Sequence, residues 1–161
     1  MKKLIAMLLA VLMLCALTAC GENTDNPTTT PQKIEGFTFT YKGVALVPGA
    51  DFDAAALPQV ESFENPNCAG PGKFVTYLHD CMELTVNTNG DKTVIYSIYL
   101  TDANTATAEG LYQGDDATTV TSIYGETYTE DGAKRIYKKG TTTLELLIEN
   151  DLVTSIEYRI A

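Results

Sequence analysis

Met82-Glu83-Leu84-Thr85-Val86 and Leu144-Glu145-Leu146-Leu147-Ile148 carry one pattern, position for position, at an offset of 62 residues. Ile95-Tyr96-Ser97-Ile98 and Val153-Thr154-Ser155-Ile156 then match at an offset of 58. Between the two blocks stands Asn89-Gly90-Asp91 in the first copy and Asn150-Asp151 in the second. Asn, Gly and Asp tolerate the positive φ of tight hairpin turns. Each copy therefore reads as a β-hairpin, the first four residues longer at its tip, where insertions are tolerated best.

Period-two alternation assigns the faces. Met82, Leu84 and Val86 are expected to share a buried face with Val94, Tyr96, Ile98 and Leu100. In the second copy Leu144, Leu146 and Ile148 are expected to meet Leu152, Ile156, Tyr158 and Ile160. Glu83, Glu145, Glu149, Glu157 and Arg159 fall on the wetter face, as does Tyr99, a candidate contact residue. Antiparallel hairpins with one covered face produce this alternation.

Working outward, residues 74–78 and 135–138 supply one further strand before each hairpin. Upstream lie matched turns, Pro48-Gly49-Ala50-Asp51 and Gly114-Asp115-Asp116, each before a short helix candidate. Asp51 or Asp53 is suited to cap Ala54-Ala55-Ala56-Leu57, which Pro58 limits. Asp115 or Asp116 is suited to cap a segment whose Val120, Ile123 and Tyr124 make one apolar stripe, with Gly125 as its stop. Phe37-Thr38-Phe39-Thr40-Tyr41 opens the domain as an alternating strand. The expected class is α+β: two tandem units, residues 43–102 and 110–161, each a short helix plus a three-stranded antiparallel meander. One such unit can hardly stand alone, whereas two share a core.

The chain's beginning has a different character. Lys2 and Lys3 precede an apolar run over residues 4–17, shorter than the ~20 residues of a membrane-spanning helix. A basic start, a short apolar core and small residues at the cleavage region define a secretory signal. Its end, Leu17-Thr18-Ala19-Cys20-Gly21, resembles the lipobox of bacterial lipoproteins. The resemblance implies residues 1–19 as a lipoprotein signal peptide and a diacylglyceryl group on the Cys20 sulfur. It also implies a location on the outer face of the cell membrane, or at the outer membrane where the host has one. An ordinary secretory signal, with Cys20 a bystander, is the alternative. Two acyl chains at roughly 0.8 kcal/mol per buried methylene make a durable anchor. Residues 20–35, rich in Asn, Thr and Pro, are too polar to bury much surface and read as a tether. Residues 36–161 form the folded domain.

The 161 residues hold 11 Lys plus Arg against 21 Asp plus Glu, a formal charge of −10, and loss of Lys2 and Lys3 deepens the acidic excess. Such a surface repels nucleic acid and anionic headgroups. No Walker loop or dinucleotide fingerprint is present, and no cofactor is expected. Asp51-Phe52-Asp53 and Asp115-Asp116 lack the distal Glu and central Gly of a calcium loop, so no metal site is expected and capping is their expected role.

Cys68 lies in a Pro- and Gly-rich loop and Cys81 near a turn. Outside the cytoplasm an even pair usually bonds. A Cys68–Cys81 disulfide is therefore expected, worth ~2–3 kcal/mol for so small a loop, with free thiols as the alternative. His79-Asp80-Cys81 is the one cluster with a nucleophile beside a base. A turn histidine is ordinarily solvated, and a disulfide would consume the thiol, so no catalytic residue is assigned.

Glu109-Gly110-Leu111, Gly114-Asp115-Asp116, a helix, Tyr124-Gly125 and following strands resemble the helix-then-sheet repeat of small exported bacterial modules. These include the beta-lactamase inhibitory protein and the assembly lipoproteins of the SmpA/OmlA type. Asn67-Cys68-Ala69, Tyr77 and Gly114-Asp115 are also similar to motifs of lipoproteins of gut Firmicutes. The resemblance implies a non-enzymatic module at the envelope, binding or scaffolding a protein or small ligand. Its alternative is a proteinaceous inhibitor of an exported enzyme. No binding residue carries over by position.

Overall fold

The computed structural model describes residues 34–68 and 70–161. A hairpin of β1 (Phe39–Tyr41) and β2 (Val44–Leu46) comes first, then a 3₁₀ turn over Ala54–Ala56. Four strands follow: β3 (Ser62–Pro66), β4 (Lys73–Leu78), β5 (Met82–Asn89) and β6 (Lys92–Leu100). Helix α1 (Ala117–Tyr124) precedes the last four, β7 (Thr129–Asp131), β8 (Lys134–Lys139), β9 (Thr142–Glu149) and β10 (Leu152–Ile160). All but β1 and β2 join one antiparallel eight-stranded sheet in the order β3-β4-β5-β6-β10-β9-β8-β7.

This corrects the expected α+β class. The fold is mainly β, with one α-helix among the described residues. Helix α1 forms because Asp116 accepts the Thr119 N–H at 2.7 Å, Val120 is fully buried, and Gly125 stops it at φ 83°. Ala54–Ala56 is capped too, by Asp53, yet it buries no side chain. A short helix is held by the face it buries rather than by propensity. Without that face, and with Pro58 next, it stays a single turn.

Each meander also has four strands rather than three. The added strands, β3 and β7, lie at the two edges, and every residue in them is exposed. With nothing buried, no apolar alternation marks them.

The two meanders meet through their last strands, β6 and β10, in the register Tyr99↔Glu157 and Ile98↔Tyr158. Both hairpins carry a β-bulge at one equivalent place. Ladder β5–β6 slips so that Tyr96 is unpaired, and ladder β9–β10 slips so that Thr154 is unpaired. A bulge inserts one residue and so exchanges the faces beyond it. Ile95 and Val153 thus enter the core at 2% and 1% exposure, in place of the expected Val94, Tyr96 and Leu152. Leu152 stands exposed instead, and Ile160, on the far side of the bulge, is exposed as the last residue of β10.

The core is built on one face by Leu84, Val86, Ile98, Leu144, Leu146 and Tyr158, none of which retains exposure. Each such aliphatic side chain contributes about 1.5–3 kcal/mol by its burial. The three elements outside the large sheet pack on this same face. Phe39 of β1 meets Tyr158 with ring centroids 5.9 Å apart, and Phe52, just before the 3₁₀ turn, meets Tyr77 at 5.6 Å. Arg135 donates to the α1 carbonyl of Ala117 at 3.2 Å. The chain enters the sheet at the β8–β9 turn, where Phe37 N–H donates to Thr142 Oγ1 at 2.6 Å.

Candidate functional site

With the hairpin, the 3₁₀ turn and the helix all on one face, the other face is left without a covering element among the described residues. Strand pairing sets its side chains in rows. One row crosses β5, β6, β10 and β9 as Glu83, Tyr99, Glu157 and Glu145. The next crosses them as Thr85, Ser97, Arg159 and Thr143.

Arg159 organises the centre. Its Nη2 donates to the Tyr96 hydroxyl at 3.1 Å, and its guanidinium lies 5.5 Å from that ring's centroid. It also reaches Glu145 and Glu157, each at 3.8 Å. Lys134 holds Glu145 from the other side at 3.0 Å. Phe74 of β4 packs against Tyr96 with ring centroids 4.6 Å apart and the planes tilted by 51°, extending the aromatic surface toward the β3 edge. The bulge makes this possible, because it turns Tyr96 out of the core and onto this face. Burial pushes the Glu157 carboxyl above its usual range, with Arg159 and a hydrogen bond from Ser97 pulling the other way. The face thus offers aromatic planes, a fixed guanidinium and carboxylate acceptors, the chemistry of a binding surface.

The structure does not bring Cys68 and Cys81 together; both are free thiols. Cys68 follows β3 at one end of β4, and Cys81 precedes β5 at the other. Six strand residues separate the two ends, roughly 20 Å at ~3.3 Å per residue. A disulfide requires Cα atoms within about 7 Å. The expectation from compartment and loop composition fails on this geometry.

The His79-Asp80-Cys81 cluster is assembled, though not as a nucleophile and base. His79 is buried rather than solvated, at 8% exposure, with its ring 5.0 Å from that of Tyr41. Asp80 accepts the Tyr41 hydroxyl at 2.7 Å and pairs with Lys42 at 3.8 Å. Burial pushes the Cys81 thiol up, away from the reactive thiolate, and Asp80 adds to the effect.

Asp53 and Asp116 cap their turns, while Asp115 accepts from the Tyr112 N–H at 2.8 Å. Among the described residues no group of three or more His, Cys, Asp or Glu side chains is arranged to hold a metal ion. Cys20, the expected lipidation site, lies outside the described residues, as do the signal and most of the tether.

Sequence reasoning placed Tyr99 on this face but missed Tyr96, Phe74 and Lys134. The signal for Tyr96 was present in the adjacent apolar doublets Val94-Ile95 and Leu152-Val153, which break strict alternation at matched places. Comparison with models of known protein families, with curated proteins and with solved structures finds no match. A functional reading therefore has to come from the chemistry of these residues.

Proposed function

We propose that the chain is a lipid-anchored lipoprotein of the cell envelope that binds another protein through the uncovered face of its eight-stranded sheet. The anchor is supported by Leu17-Thr18-Ala19-Cys20 behind a basic start and a short apolar run. In this reading a diacylglyceryl group on Cys20 holds the domain outside the cytoplasm, and residues 20–35 act as the tether. Fully extended, such a tether spans about 50 Å, which confines partners to the envelope.

The binding half rests on one observation: Tyr96, Tyr99, Phe74 and Arg159 stand together on a sheet face that no other element of the described chain covers. Tyr and Arg concentrate at protein interfaces because they offer a large rigid contact area along with a polar group. The neighbouring carboxylates of Glu83, Glu145 and Glu157 supply acceptors that favour a partner bearing Lys or Arg at the contact.

A photo-crosslinking amino acid at position 99, in cells, tests the binding half. The expected result is a covalent adduct with one envelope protein, absent when the crosslinker replaces exposed Thr118 of α1. Adducts at position 118 and none at 96 or 99 would overturn it. If the captured partner is an exported enzyme, and the purified one-to-one complex is inactive, the inhibitor reading replaces the scaffold reading. Mass spectrometry of the N-terminal peptide tests the anchor separately: an unacylated Cys20 in a water-soluble native protein would end that half.

A further inference from the structure

His79 poses a problem that the binding face does not touch. Both of its ring nitrogens are buried without a hydrogen-bond partner. The backbone fixes it in place, its N–H donating to the Met82 carbonyl at 2.9 Å. A cavity of about 60 Å³ lies against the ring, walled by Phe52, Leu57, Pro58, Gln59 and Tyr77. That volume admits a few waters, each needing at least ~10–15 Å³. Waters there can serve a neutral imidazole, which has one donor and one acceptor.

The outer wall of the cavity is a strap, residues 53–60. Backbone bonds pin it at both ends. On one side Ile95 N–H donates to the Ala50 carbonyl and Phe52 N–H to the Thr93 carbonyl, both at 2.9 Å. On the other, Leu78 N–H donates to the Glu61 carbonyl at 2.9 Å. Between the pins the backbone bonds are local, Ala56 N–H to the Asp53 carbonyl and Leu57 N–H to that of Ala54. Packing holds this middle part down, through Leu57 at 6% exposure. A segment fixed at its ends and held between them by side-chain packing can lift without unravelling the sheet.

We propose that His79 and the 53–60 strap form an acid-opened lid. Protonation turns the imidazole into a double donor with no carboxylate to receive it, and the strap lifts to hydrate the ring. Phe52, Leu57 and Tyr77 are then presented to solvent as an apolar surface.

The charged and titratable groups around the ring fit this assignment. The β1–β2 hairpin contributes the Tyr41 ring and the Lys42 ammonium, and Lys42 opposes a second positive charge. Asp80 is the nearest carboxylate, and it is already taken by the Tyr41 hydroxyl and Lys42. Tyr77 of β4 lines the cavity, and burial pushes the Cys81 thiol up, away from the charged thiolate. From the strap, Gln59 lines the cavity, Asp53 is occupied by the Ala55 N–H, and Glu61 lies beyond the pinned end. The Tyr41 ring can offset part of the new charge through its π face. Burial keeps the imidazole below its ordinary value, with Lys42 adding to that and Asp80 opposing it.

The test is amide exchange of Ala56 and Leu57 in the full-length protein in detergent micelles. It is read between pH 7.5 and pH 5 and corrected for the intrinsic pH dependence of exchange. Protection should fall about tenfold per pH unit once the imidazole titrates, the slope for uptake of one proton. In His79→Phe it should stay flat. Constant protection in the wild type, or an equal fall in His79→Phe, would overturn the proposal. Should His79→Phe fail to fold, the wild-type imidazole resonance decides: its titration midpoint must coincide with strap opening, and separate midpoints sink the lid. The result is independent of whether position 99 captures a partner.

Discussion

Tyr99 and Glu157 face each other across the β6–β10 seam, and they are also each other's counterpart in the repeat, 58 residues apart. A residue paired with its own counterpart marks a local two-fold axis. The axis runs through this pair and relates β3–β6 to β7–β10. It explains why the seam is antiparallel and why both bulges, at Tyr96 and Thr154, fall at the same distance from it. It also places the proposed binding face at the centre of the duplication, where a row of side chains from both halves is continuous.

Glu157 at that centre should make stability depend on pH in a definite direction. Its folded carboxyl titrates above the unfolded one because burial disfavours the charge. The folded state therefore holds more protons than the unfolded state between those two values. Stability contributed by this residue is present at acid pH and is lost as pH rises through the folded value. Glu157→Gln should flatten that part of the profile and unfold at higher urea than wild type at pH 7. A variant that is less stable at pH 7 would contradict the assignment.

The two-fold axis makes a quantitative demand on the core. Leu84 and Leu146 are counterparts at the offset of 62, and both are fully buried. Leu84→Ala and Leu146→Ala should each cost about 3–4 kcal/mol, the range for a large-to-small change in a packed interior. The two losses, measured by urea unfolding, should agree within about 1 kcal/mol of each other. A loss confined to one copy would mean that the halves do not share a core.

What was legible in the sequence tracks what each strand buries. The alternation in β5 and β9 is clear because one face of each is wholly in the core, as Leu84 and Leu146 show. Edge strands β3 and β7 bury nothing, so Ser62-Phe63-Glu64-Asn65-Pro66 and Thr129-Glu130-Asp131 carry no such imprint. The 3₁₀ turn had a sound cap in Asp53 and good helix formers, but no face to bury. The candidate site was half visible: Tyr99 followed from parity, whereas Tyr96 was sent to the core by counting in twos across an unseen bulge. Cys68 and Cys81 were misjoined because loop composition carries no length, and the separation is set by β4, a strand whose straightness only pairing reveals.

Deleting a bulge residue tests that reading of the faces. Thr154→Ala changes an exposed side chain and should alter stability by less than about 0.5 kcal/mol. Removing Thr154 altogether lets Val153 follow Ser155 directly in the ladder, so Val153 stays in the core opposite Ile148 and Leu152 stays out. The deletion should therefore leave the domain folded, with a melting temperature close to that of the substitution. A far larger loss from the deletion would argue that Thr154 is a regular ladder position and not the extra residue of a bulge.

Gly140 and Gly132 provide an internally controlled pair. Both have φ near +60°, at 58° and 60°, so an alanine at either meets the same backbone strain, roughly 1–2 kcal/mol. A Cβ on Gly132 meets open space, but one on Gly140 overlaps the carbonyl of Glu35. Gly140→Ala should therefore be the more damaging, and the extra loss should appear locally. Faster amide exchange at Phe37, whose N–H is held by Thr142, is the expected readout. Equal effects at the two glycines would mean that the entering segment is not seated on the β8–β9 turn.

The two thiols of the folded domain should be distinguishable without any mutation. Cys68 is exposed, while Cys81 is half-buried and its thiol is pushed up by burial. A thiol reagent at pH 8 acts through the thiolate, so rate follows both access and ionisation. In native protein never exposed to reductant, Cys68 should react quickly and Cys81 slowly, and both should react at once in denaturant. Because the ends of β4 lie roughly 20 Å apart, prior oxidation should not join the two within one folded chain. Denatured, unreduced monomer that yields neither thiol would show that they do bond, and β4 could not then be the continuous strand that separates them.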